Sequence, residues 1–156
     1  MSNPNWQRWI YASVSKYFKT VADAYPIVMH VEGAERTSSE ESKWMEFRMD
    51  GPSVTELSHN CFRLNVEINI LWAVHMSSRN FHEEQRLSGA LVEAMTDICI
   101  YKYGDGVDDD DSLLGTLVLI QDKNHPIRVN NFGQVRADSH LVQGTVESSY
   151  QMHLSN

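Results

Sequence analysis

Residues 63–74, RLNVEINILWAV, decide the fold class. Leu64, Val66, Ile68, Ile70, Trp72 and Val74 alternate with Arg63, Asn65, Glu67 and Asn69. Successive side chains of a strand point to opposite faces, so a period of two commits one face to the core. A one-residue slip would expose all of the apolar set, which specifies the register. The run is long for a strand, and long strands often reach past their own core to lean on a neighbour.

Upstream, residues 44–50 repeat the pattern, with Met45, Phe47 and Met49 on one side and Glu46 and Arg48 on the other. Gly51-Pro52 is expected to close that strand. Residues 27–31 read as a short strand. Residues 32–43 (EGAERTSSEESK) have no apolar period and read as an exposed loop. The chain opens with a helix: Asn3 is a candidate N-cap and Pro4 fits the first helical position. Trp6, Trp9, Ile10, Ser13, Val14, Tyr17 and Val21 then recur every three or four residues. The helix is expected to end before Pro26.

Downstream, Asn80 and Glu83 have the form of a capping box. Leu87, Leu91, Ala94, Met95 and Ile98 share a helical stripe, and Gly104 is a natural terminator. These signals predict one long central helix over residues 80–102. Three strands are expected after it, at residues 114–121, 127–132 and 145–154. The order predicts an α+β fold in one domain spanning residues 1–156. Its mixed or antiparallel sheet has five to six strands, with the N-terminal helix and the central helix packed on it.

Composition narrows the function classes. The chain has 156 residues and a net charge of −8. Residues 1–80 carry 8 basic and 9 acidic groups, whereas residues 81–156 carry 5 and 12. That balance argues against binding nucleic acid through a basic surface, which needs clustered Lys and Arg. It is compatible with a wall that lets DNA pass without sticking. No apolar run approaches the roughly 20 residues needed to cross a bilayer. Residues 6–21 mix apolar side chains with Arg8, Lys16 and Lys19, unlike a signal peptide, so the protein is expected to stay in the cytoplasm where it is made. Cys61 and Cys99 match no motif and are expected to be two buried thiols.

The search for chemistry returns no catalytic, cofactor-binding or metal-binding residues. Asp105, Asp108, Asp109, Asp110 and Asp111 lie in an acidic turn, but with Asp105 as the first position the twelfth is Thr116, followed by Leu117, where a calcium loop needs glutamate. The seven histidines form no pair at metal-ligand spacing. Neither a nucleophile elbow nor a phosphate loop is present. The acidic turn, together with Glu40 and Glu41, reads instead as a charged surface for a partner or a lumen. Trp44, on the polar side of its strand, is either core packing or an anchor at a subunit contact, where Trp is enriched.

Four segments together resemble the tail terminators and related neck proteins of tailed bacteriophages. They are residues 44–52 (WMEFRMDGP), 60–74 (NCFRLNVEINILWAV), 110–115 (DDSLLG), and 132–135 (FGQV) leading into 145–152 (TVESSYQM). The resemblance implies a non-enzymatic virion part that forms a hexameric ring at the head-proximal end of a tail. Such a ring caps the tube, joins it to the connector or stopper protein, and passes DNA through its lumen without membrane contact. It implies no individual site residues. A head-completion (stopper) protein or a tail-tube subunit would share these features, with residues 32–43 as a modest stacking loop. From another class, a sheet around one long helix is the plan of hot-dog thioesterases. The polar half of the predicted central helix (His82, Glu83, Glu84, Arg86, Glu93) counts against that plan.

Overall fold

The computed structural model describes residues 4–31, 43–75, 82–103, 112–134 and 141–155. Two helices, α1 (Trp6–Ala24) and α2 (Glu83–Ala94), accompany seven strands. The strands are β1 (Val28–Val31), β2 (Lys43–Ser58), β3 (Cys61–His75), β4 (Ile98–Tyr101), β5 (Leu113–Ile120), β6 (Arg128–Gln134) and β7 (Leu141–Ser155). They run in the order β1-β2-β3-β7-β5-β4, with β6 also paired to β7. Only β1 and β2 are parallel; the remaining pairs are antiparallel. The class is therefore α+β with a mixed sheet.

The alternation in β3 sets the frame. From Leu64 to Val74 its even-numbered side chains are buried, and the strand pairs with β7 without a register shift from Cys61↔Ser155 to His75↔Leu141. Opposed residues share a face, so Ile70 meets Val146 across β7 and Phe47 across β2. Both helices lie over this face. Tyr11 and Phe18 of α1 place their rings 5.5 and 5.9 Å from that of Phe47. Leu87 and Leu91 of α2 join the same buried cluster. Hydrogen bonds fasten α1 to the backbone at and beyond the end of α2. Trp9 Nε1 donates to the Tyr103 carbonyl at 2.7 Å, and Tyr17 Oη donates to the Ala94 carbonyl at 2.6 Å.

Several expectations need correction. The long central helix is absent: α2 has 12 residues, and Ile98–Tyr101 is strand β4. Ile98 fits a helical stripe with Leu91 and Met95, but Ile98 and Ile100 are buried while Cys99 and Tyr101 are exposed, which is period two. The sheet consequently has seven strands, four of them after α2. Gly51-Pro52 does not end β2. Its peptide bond is cis, Gly51 has φ +101°, and the pairing shifts between Asp50 and Ser53 before resuming to Ser58. The register shift marks a β-bulge that absorbs the turn residues within one strand. Neither thiol is buried: Cys61 is half-buried and Cys99 exposed. The candidate caps Asn3 and Asn80 lie outside the described residues; Asn5 and His82 stand at the helix starts, without side-chain capping bonds.

Among the described glycines, Gly144 has the closest neighbours. A Cβ there would run into the Trp72 ring and would lie 2.5 Å from the Asn130 carbonyl of β6. Gly89, on α2, has open space around it. Overpacking a core costs about 1–3 kcal/mol, whereas Gly to Ala in an open helix gains roughly 0.5–1 kcal/mol. Urea unfolding should show Gly144→Ala destabilised by about 3 kcal/mol and Gly89→Ala slightly stabilised.

Candidate functional site

Around Glu67 and Asn69, the face of the sheet away from the helices is polar, whereas nearer β1 it carries Trp44, Leu71 and Ala73. Asp50 of β2 stands opposite Glu67 of β3, and Asn69 stands opposite Glu147 of β7, which in turn faces Arg128 of β6. Like charges directly across a ladder repel. The Asn69 amide, donating to Asp50 Oδ2 at 3.0 Å, offsets part of that repulsion. The segment between β5 and β6 overhangs these residues and closes a groove of about 240 Å³ lined by Glu67, Asn69, His125, Arg128 and Glu147 among others. A second concavity of about 290 Å³ continues it toward Gly51 and Ile120. Among the described residues, no group of three or more His, Cys, Asp or Glu side chains is placed to hold a metal ion.

The overhang owes its shape to Asp122. Its Oδ1 accepts the Asn124 and His125 backbone N–H groups, each at 2.8 Å, and lies 2.9 Å from His125 Nδ1. This is the aspartate turn that lets a short carboxylate replace a backbone acceptor. The His125 side-chain bond first, then the Asn124 N–H, hold the carboxyl below its ordinary 3.8.

A second surface lies at the end of the β2–β3 hairpin. Residues 53–60 are all exposed although 53–58 belong to strand β2, and Asn60 makes the turn at φ +64°. Val54 and Leu57 present apolar surface there, as do Val129 and Phe132 on β6. Every residue of β6 except Asn130 is exposed, so among the described residues this strand has a partner on one edge and little on either face.

Asp105, Asp108, Asp109, Asp110, Asp111, Glu40 and Glu41 lie outside the described residues. Trp44 is described and is 8% exposed, with its ring centroid 6.1 Å from that of His30. It is buried on the face away from the helices, opposite Ala73, and outside the main apolar cluster. Sequence reasoning misses the polar groove and the exposed strand ends. Their signals are the Asp-Lys-Asn-His-Pro turn at residues 122–126 and the Val/Leu and Val/Phe pairs at residues 54/57 and 129/132.

No protein-family model matches this chain, and a comparison with curated proteins finds no match. No described helix is long and apolar enough to cross a membrane.

Because its folded pKa is depressed, Asp122 stabilises the turn above pH 3.8, and that contribution is lost as pH falls through the lower folded value. Carbon-detected NMR titration should place its midpoint below 3.8, and His125→Ala should move it upward.

Proposed function

We propose that this protein is a ring-forming virion component, a tail terminator or related neck protein that caps a phage tail tube and joins it to the head connector. The observation that supports the reading best is the exposed end of the β2–β3 hairpin. Strand residues with no core beneath them gain little by being ordered alone, and they fit a part whose neighbours complete it. Three further features agree with this reading. The helices occupy one face and leave polar side chains such as Glu67 on the other, available for contact. The net charge of −8 suits a conduit through which a polyanion must move without adhering. The segment resemblance supplies the class of assembly. The chemistry of the ring is mechanical: the like-signed surface repels phosphate while the lateral contacts carry the load.

The short α2 removes the feature that favoured a thioesterase plan, a long helix wrapped by the sheet. Native mass spectrometry of the purified chain, followed by negative-stain microscopy, tests the proposal. A closed hexameric ring with an axial hole is expected. A compact dimer or tetramer without a hole would contradict it.

A further inference from the structure

The end strands of the sheet path are β1 and β4, but two further stretches at opposite margins, one in β2 and the other β6, are open on one side among the described residues and are matched strips. Within β2, pairing to β1 covers only Trp44 to Phe47, so residues 48–58 have no strand on that side among the described residues. At the opposite side of the sheet, β6 pairs with β7 and with no other described strand. Residues 53–58 (SVTELS) and 128–134 (RVNNFGQ) are similar in length, at six and seven residues. Each carries two apolar side chains three apart, Val54 and Leu57 on one and Val129 and Phe132 on the other. These are 45%, 48%, 44% and 59% exposed. Each strip has a register shift around its second apolar residue, between Glu56 and Ser58 in β2 and between Asn131 and Gly133 in β6. Each bears one charged residue, of opposite sign: Glu56 and Arg128.

An open edge strand exposes unpaired backbone groups, and natural sheets usually protect it with charge, proline or a cover. Here the protection is slight, and the strip at the far side of the same chain complements it in apolar pattern and charge. We infer that residues 53–58 of one copy pair with β6 of the next, adding strand to strand across the subunit boundary. The occupant of each edge is therefore a second copy of this chain. Because the two strips differ and lie on opposite sides of the sheet, the contact is head-to-tail and leaves one edge open at every addition until the assembly closes. The bulges make the pairing selective, since a flat strand would not match them. This inference rests on the ring reading and specifies its lateral interface.

The experiment uses two single variants of the whole chain, Leu57→Lys and Phe132→Lys. Both sites are exposed, and unchanged circular dichroism and melting check that the fold is kept. Each variant alone should lose the ring and run as monomer at concentrations where the unaltered chain assembles. An equimolar mixture should give a heterodimer of one copy of each, because one intact strip of each kind remains. As a second handle, Glu56→Arg and Arg128→Glu should each weaken assembly on the order of tenfold, and the double reversal should recover it. Rings that persist in both lysine variants, or a mixture that yields no heterodimer, would overturn the edge pairing and leave the ring reading standing. An unaltered chain that stays monomeric at its highest soluble concentration would overturn both.

Discussion

Everything in this structure depends on the buried face of β3. Its six even-numbered apolar side chains between Leu64 and Val74 are 0–2% exposed. At roughly 1.5–3 kcal/mol for each fully buried side chain, their burial is comparable with the whole stability of a domain, about 5–15 kcal/mol. A slip by one residue would forfeit it, so β2 and β7 are bound to one register each. The Trp72 indole fixes the second dimension. It lies against Gly144 of β7, where the missing side chain also admits the Asn130 carbonyl of β6. One ring and one absent side chain thereby bring β3, β7 and β6 together. The cost is an indole N–H that is buried without a hydrogen-bond partner among the described residues.

The covering of this frame is one-sided. α1 and α2 close the apolar face, and the hydrogen bonds of Trp9, Ser13 and Tyr17 tie α1 to the backbone between Ala94 and Tyr103. Burial among these elements pushes the Tyr150 phenol above its usual pKa of 10, and its hydroxyl donates to Met95 Sδ at 3.7 Å. Towards the hairpin turn the β3 arm stays half-buried to buried, but the β2 arm, residues 53–58, is exposed throughout. The same physics that stabilises the centre leaves the hairpin end and β6 without a covering strand among the described residues, and those are the strips that the proposed pairing uses.

How much of this is legible in the sequence depends on which contacts are local. The alternation in β3 is contained in one segment and reads directly, as do α1 and the approximate positions of five other strands. The boundary between α2 and β4 is not legible. Leu87, Leu91, Met95 and Ile98 keep helical spacing, and what makes Ile98 a strand residue is its pairing with Leu117. Likewise Gly51-Pro52 reads as a stop, yet β3 supplies partners on both sides of the bulge and β2 carries on. The groove is invisible in the sequence for the same reason: Asp50, Glu67 and Glu147 become neighbours only through the registers of β2 and β7 on β3. Of the interface candidates that charge and composition suggest, the acidic residues lie outside the described residues, and Trp44 is 8% exposed beside His30. The strips assigned to the interface share a pattern that acquires meaning only once both are known to be edges.

Hydrogen–deuterium exchange on the assembled protein, compared with the chain diluted to monomer, tests the central claim most directly. If the sheet edges are the subunit contacts, amides in residues 53–58 and 128–134 become protected together on assembly, while those in the middle of β3 are slow in both states. Assembly that leaves both strips exchanging at their monomer rates would contradict it.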